Sequence, residues 1–420
     1  MRALAFAVLL AGCHDWDSLS SGGDGGTDLG AQVDAQVVAD LECQPSDLAG
    51  NVDAGKQMVT LDGGAIATSG WTRRVIAIDV GGGPLGTTDG KLDLVVLQRS
   101  ASPSTNNLTT LLSEGDGTFS TPIDSAIGMA LPNDVVIADF DEDGKPDAVV
   151  TLEGQDKLWF MKGNGDGTFA APMSRDLEQV NVSAPRAPGA LAAGYFHDQR
   201  HVDLIVAEEG GPRASLFVGA GNGTFTEAGS RPLGVGARHT LLAADVDGDC
   251  VTDVVALNGG SGGNTLTILR GMADGALHDF VGGAFTVGGE PAAVAVGDFN
   301  RDQRPDLIVA NRNSGYLSLV LGGEVGFKSP IAVNVGSPQS AVAAGDFNGD
   351  HILDLVLVRG FELALSLGDE AGGFGAPSRL DGADTVDSMI AVDLDGDGLA
   401  DVAHSRGNAS EVYLYRNTSL

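Results

Sequence analysis

Short apolar runs recur along the chain, each broken by glycine, asparagine or aspartate. Val135-Val136-Ile137-Ala138 leads into the polar stretch Asp139-Phe140-Asp141-Glu142-Asp143-Gly144-Lys145-Pro146-Asp147, and Ala148-Val149-Val150 leads out of it. A third run, Leu158-Trp159-Phe160-Met161, follows a turn. Next come the glycine turn Gly163-Asn164-Gly165-Asp166-Gly167-Thr168-Phe169 and the more polar Ala171-Pro172-Met173. The runs are too short for helices, lack a 3.6-residue period and are punctuated by turn residues, so they predict β-strands. The predicted unit is three apolar strands and a polar fourth.

That unit repeats. Aligned on the first residue of the polar stretch, copies begin at Asp79, Asp139, Tyr195, Asp245, Asp298, Asp346 and Asp393, between 47 and 60 residues apart. The later copies keep the order, as in Val294-Ala295-Val296, Leu307-Ile308-Val309 and Leu317-Ser318-Leu319-Val320. The glycine turn again ends in phenylalanine at Phe119, Phe225, Phe327 and Phe374. Seven units of about fifty residues fill positions 56–420. Four short strands per unit describe a propeller blade, and coils of a β-helix are shorter. The expected fold is all-β, a seven-bladed β-propeller. The chain ends on a third strand, Glu411-Val412-Tyr413-Leu414-Tyr415, and begins with a strand lacking a partner, Lys56-Gln57-Met58-Val59-Thr60-Leu61. The latter is expected to close the last blade.

Composition adds one theme. Hydrophobic residues at 43% suffice for a core, and 62 glycines suit many tight turns. The net charge of −33 argues against nucleic acid or anionic lipid as partners, and for carboxylates that cations neutralise. The polar stretches place those carboxylates in register at positions one, three, five and nine. Five copies carry a full set: Asp139, Asp141, Asp143, Asp147; Asp245, Asp247, Asp249, Asp253; Asp298, Asn300, Asp302, Asp306; Asp346, Asn348, Asp350, Asp354; and Asp393, Asp395, Asp397, Asp401. Position seven adds the main-chain carbonyls of Lys145, Val251, Arg304, Ile352 and Leu399. Such oxygen sets suit calcium, which takes six to eight oxygens, better than octahedral magnesium. About five Ca2+ ions are expected. The first copy keeps only Asp79, Asp89 and Asp93 around an insertion. The third keeps only Asp203, with His197 and His201 nearby, and is expected to replace an ion with hydrogen bonds. At position six, Gly144 and Gly398 suit a sharp turn, whereas Cys250, Gln303 and His351 do not.

These loops of the form Asp-Phe-Asp/Asn-x-Asp-Gly-x-x-Asp, followed by Gly-Asn-Gly-Asp-Gly-Thr-Phe, resemble the FG-GAP/VCBS repeats of integrin alpha-subunit propellers and bacterial surface proteins. The resemblance covers all seven units. It implies calcium in the loops and a ligand face on the opposite side of the ring. Trp71, Arg73 and Arg238, just before the innermost strands, would line it, with Trp71 an aromatic beside positive charge.

The first 55 residues read differently. Met1-Arg2 and the apolar run Ala3–Leu10 form a signal-peptide pattern ending in Leu10-Ala11-Gly12-Cys13, which resembles a bacterial lipobox. The expectation is a signal peptide over 1–12, lipidation of Cys13 and a Gly/Ser/Asp-rich tether over 13–55. Cys43 and Cys250 could pair in an oxidising compartment. No metalloprotease motif, nucleophile elbow or phosphate loop is present. The expected protein is exported and held on a membrane only through its lipid, in the cell envelope or on the cell surface. Its propeller would be a binding or adhesion module for a protein or glycan. The alternative is a propeller polysaccharide lyase.

Overall fold

The structure, a computed structural model, describes residues 61–420 except 84–87, 100–105, 177–186, 209–211, 237, 261, 273, 383–385, 407–408 and 420. The expectations for the signal peptide, Cys13, the tether and Cys43 lie outside the described residues. Cys250 is disulfide-bonded, and the other two cysteines both lie outside that range.

Strand β1 spans Leu61–Ala67. Blade 1 is β2 (Trp71–Ile78), β3 (Asp93–Arg99), β4 (Asn106–Leu111) and β5 (Ile123–Gly128). Blade 2 is β6 (Pro132–Ala138), β7 (Asp147–Leu152), β8 (Lys157–Met161) and β9 (Met173–Asp176). Blade 3 is β10 (Pro188–Gly194), β11 (Asp203–Glu208), β12 (Arg213–Gly219) and β13 (Phe225–Pro232). Blade 4 is β14 (Arg238–Ala244), β15 (Asp253–Gly259), β16 (Thr265–Arg270) and β17 (His278–Thr286). Blade 5 is β18 (Pro291–Gly297), β19 (Asp306–Asn311), β20 (Tyr316–Val320) and β21 (Ile331–Asn334). Blade 6 is β22 (Gln339–Gly345), β23 (Asp354–Arg359), β24 (Glu362–Ser366) and β25 (Ser378–Gly382). Blade 7 is β26 (Val386–Val392), β27 (Asp401–Arg406) and β28 (Glu411–Asn417), with β1 as its fourth strand.

Every sheet is four-stranded and antiparallel, six of them meanders of consecutive strands and the seventh completed by β1, so the seven-bladed all-β propeller stands. The core is divided among the interfaces between blades. Along β6, Val135 and Ile137 pack toward blade 1, while Val136 and Ala138 pack toward blade 3. This is the period-2 alternation of a strand buried on both faces. Aromatic contacts lock the same interfaces. Phe140 at position two of the blade 2 loop meets Phe225 of blade 3 edge-on at 5.5 Å, and Phe299 meets Phe374 of blade 6 at 5.8 Å. The phenylalanine ending each glycine turn thus docks on the preceding blade.

Two strand boundaries differ from expectation. The fourth strand of blade 2 starts at Met173, after Pro172, whose missing N–H suits the strand's approach better than its ladder. The closing strand is Leu61–Ala67; residues 56–60, where it was expected, lie outside the described residues. Gly63-Gly64 lies within the strand. A Cβ on Gly63 would meet Tyr415 Cε1 at 2.9 Å, so glycine admits the tyrosine ring.

One buried polar residue breaks the blade pattern. His404 stands on β27 where the other blades have Val96, Val150, Val206, Ala256, Val309 and Leu357. It is fully buried, stacked at 5.2 Å on Tyr413, and neither ring nitrogen has a well-formed hydrogen bond. Burial, aided by Arg406, pushes its pKa down to about 4. The unfolded chain therefore binds this proton first, and His404 subtracts stability as pH falls from about 6.5 toward 4. His404→Leu is expected to raise stability by about 1 kcal/mol at neutral pH. It should also flatten the acid side of the stability curve, as read by denaturant melts at pH 7 and pH 5.

Candidate metal loops and the opposite face

Each acidic loop joins the innermost strand of a blade to the second. Its geometry is built by carboxylates accepting main-chain N–H groups. In blade 2, Asp139 accepts Asp143 N at 3.1 Å and Gly144 N at 2.8 Å, while Asp143 accepts Lys145 N at 3.1 Å. Asp245, Asp298, Asp346 and Asp393 likewise accept the N–H of position six, at 2.7–2.9 Å. That sixth residue is left-handed throughout, including Cys250 (φ 66°), Gln303 (φ 65°) and His351 (φ 62°). These three carry strain that Gly144 and Gly398 avoid.

Position nine does something the sequence did not reveal. In blade 2 Asp147 is fully buried and accepts Phe140 N at 3.2 Å and Gly163 N at 2.8 Å, tying the acidic loop to the glycine turn. The same clamp holds in every blade, through Asp93, Asp203, Asp253, Asp306, Asp354 and Asp401. It persists in blade 3, where the other ligand positions are gone. There His197 Nδ1 sits 2.9 Å from Asp203 Oδ2, and His201 contacts Glu142 of the blade 2 loop. The occurrence of this aspartate in all seven copies was the available signal.

Positions one, three and nine converge. Carboxylate oxygens of Asp139, Asp141 and Asp147 lie within 4.8 Å of one another, as do those of Asp245, Asp247 and Asp253 and those of Asp393, Asp395 and Asp401. The position-five carboxylates Asp143, Asp249 and Asp397 fall outside these triplets. In blades 5 and 6 the third position is Asn300 or Asn348, and Asn348 Nδ2 donates to Asp350 at 2.9 Å. Burial is the main cause that raises the ninth-position pKa values: Asp147, Asp354 and Asp401 to about 7, Asp253 to about 8 and Asp306 to about 6. Neighbouring carboxylates add to the shift. In the first loop, Asp93 rises to about 7 and Asp79 accepts Gly90 N at 2.6 Å. The donor set, hard oxygens with buried Asp141 Oδ1 lacking a hydrogen bond, fits a hard divalent cation.

The other face surrounds a central channel of about 640 Å3. Alanine, valine, isoleucine and leucine from the inner strands make its walls. In six blades the inner strand carries a β-bulge near its start. Bulges re-aim side chains, and Arg73, Asn133, Ser340 and Asp387 in bulged segments all line the channel. Arg73 pairs with Asp387 at 3.2 Å, and Arg74 pairs with Asp134 at 2.6 Å. The two arginines therefore brace blade 1 against both neighbours, with their charge matched. Trp71, two residues before Arg73, is 40% exposed. Arg238 opens β14. His404 and Tyr415 are buried, and Tyr413 is half-buried, stacked on the His404 ring.

Seven four-stranded blades with an acidic loop between the first two strands define a repeat propeller with clustered carboxylates on one face. A family model described as an FG-GAP-like repeat matches residues 87–150, 199–256, 245–309 and 298–357, together more than half of the chain. The chain belongs to that family. No curated protein gives a significant match. Among solved structures, the chain is similar to an Agrocybe aegerita lectin that recognises non-reducing terminal N-acetylglucosamine. Identity is 15% over 77% of this chain and 90% of the lectin, with a TM-score of 0.50. It is also similar to BBS1N, solved in complex with ARL6DN, at 10% identity over 87% of this chain and 99% of that one, with a TM-score of 0.55. Both likenesses are of fold.

Proposed function

We propose that this protein is an exported, lipid-anchored, calcium-binding propeller that presents the face opposite its acidic loops to a protein or glycan ligand. The observation that carries the reading is the channel mouth. Bulged segments turn Arg73, Asn133, Ser340 and Asp387 toward one rim, and Trp71, exposed, pairs across the strand with Arg99, which also lines the channel. Fixed polar groups next to an open indole are the equipment of a sugar- or peptide-binding rim. A lectin built on a similar ring is consistent with this. Calcium would hold the loops: Asp139, Asp141 and Asp147 with the Lys145 carbonyl in blade 2, and the matching sets in blades 4 to 7. Its part is structural, bracing the ring by binding only the folded state. Cys13 would carry the anchor.

The test is a glycan and extracellular-protein array probed with the calcium-loaded chain, repeated with Trp71→Ala and with Asp387→Ala. A hit weakened at least tenfold by Trp71→Ala, with the melting temperature unchanged, is the expected result. Hits indifferent to both substitutions overturn the placement of the ligand on this face.

A further inference from the structure

Aligning the blades by their hydrogen-bond register exposes a pairing within the chain. The residue opposite position nine, one step past the residue paired with position ten, is Leu112, Lys162, Val218, Arg270, Leu321, Leu367 and Arg416 in blades 1 to 7. It is basic in blades 2, 4 and 7, and apolar elsewhere. Those three blades are the ones with aspartate at loop position three: Asp141, Asp247 and Asp395. The two full loops with asparagine there, Asn300 and Asn348, have Leu321 and Leu367. Contact accompanies the pairing. Lys162 Nζ touches Asp141 and lies 2.9 Å from Asp143. Arg270 Nε lies 2.6 Å from Asp247, and its Nη2 lies 2.7 Å from Asp249. Arg416 Nε approaches Asp395 to 3.9 Å and donates from Nη1 to Asp116 O of blade 1 at 2.7 Å.

From this we infer that the third-strand residue sets the charge of the loop, so that all five full loops present a divalent cation with the same formal charge of −3. Four carboxylates and one fixed cation make −3 in blades 2, 4 and 7. Three carboxylates and an amide make −3 in blades 5 and 6. Position seven does not follow this rule; Arg304 reaches Asp302 at 3.5 Å, but has Glu324 on its other side at 4.0 Å. One Ca2+ then leaves each loop at −1. Matching charge matches affinity, because the long-range part of cation binding scales with the charge of the site. Five loops of equal charge fill over one range of calcium concentration, and the ring stiffens in one step. The inference rests on the cation-binding reading of the loops.

The experiment titrates calcium into the full chain after chelation and desalting, by calorimetry, with melts recorded in parallel. Wild type is expected to show one affinity class. Lys162→Leu leaves loop 2 at −4, so one ion of the five should bind on the order of tenfold more tightly. The metal-free variant should melt lower than wild type, because Asp141 and Asp143 lose the counter-charge of Lys162. The double variant Asp141→Asn/Lys162→Leu reproduces the blade 5 combination and should return to a single class; it also covers the case in which the single variant fails to fold. Asn300→Asp should create a tighter site that Leu321→Lys restores. Unchanged or weaker binding in Lys162→Leu, or a double variant that stays split, overturns charge matching. If the wild type takes up no calcium, the loop reading itself fails, and that is seen before any substitution is made.

Discussion

Calcium is expected to raise the melting temperature of this propeller by about 18 °C over the chelated protein, with a gain that depends on pH. Five ions at a hundredfold excess over their dissociation constants contribute about 2.7 kcal/mol each if they bind only the folded chain. Spread over the unfolding entropy of roughly 360 residues, that total corresponds to a shift of about this size. The pH dependence comes from the ninth-position carboxylates. In the metal-free protein burial holds Asp147, Asp354 and Asp401 near 7, Asp253 near 8 and Asp306 near 6, against an unfolded value of 3.8. The folded state therefore takes up protons that the unfolded state has released. This contribution is fully present below about pH 4 and is lost as pH rises through 6 to 8. Metal-free protein should melt lower at pH 8 than at pH 5.5, and calcium should remove that slope by replacing protons with an ion. A melt indifferent to calcium at pH 8 would leave the loops as acidic turns.

Removing residues 1–67 will open the ring. Strand β1 pairs with β28 along its whole length, from Leu61↔Asn417 to Ala67↔Glu411. Leu61 packs toward blade 6, and Ile66 packs toward blade 1. Without them β28 becomes a bare edge and Tyr415 loses the cover of Gly63. Lost burial and ladder hydrogen bonds amount to about 5 kcal/mol, so a fall of 5 to 10 °C is expected. A peptide of residues 56–69 added in trans should recover part of it. A truncated chain that melts with the full-length one would show that blade 7 closes by other means.

The ring was legible in the sequence because each copy carries its own chemical label. Carboxylates at fixed spacing and a glycine turn ending in phenylalanine recur whatever the strand between them does. The third loop was legible too: losing aspartate at positions one, three and five while gaining His197 predicts the imidazole that now sits on Asp203. What stayed hidden depends on partners far apart in the chain. Arg73 and Arg74 read as free positive charge beside Trp71. Their counter-charges are Asp387 and Asp134, 314 and 60 residues away, and only ring closure brings the first pair together. The bulges that aim the channel mouth leave no residue signature, since Ala292, Ser340 and Asp387 share no chemistry. Lys162, Arg270 and Arg416 were visible as residues, but their match to position three emerges only once hydrogen-bond register fixes which positions correspond.

The ninth-position clamp has a consequence for how such a ring can change. Because two main-chain donors, not an ion, hold Asp203 in place, the blade around it keeps its shape after the rest of its acidic set is gone. A repeat can therefore shed its dependence on cations by ordinary substitution, one residue at a time, without passing through a broken blade. In blade 3 the imidazole of His197 sits against the Asp203 carboxylate. The number of carboxylates each blade presents becomes a quantity that drift and selection can adjust blade by blade while the architecture stays fixed, and a designer could use the same freedom in reverse.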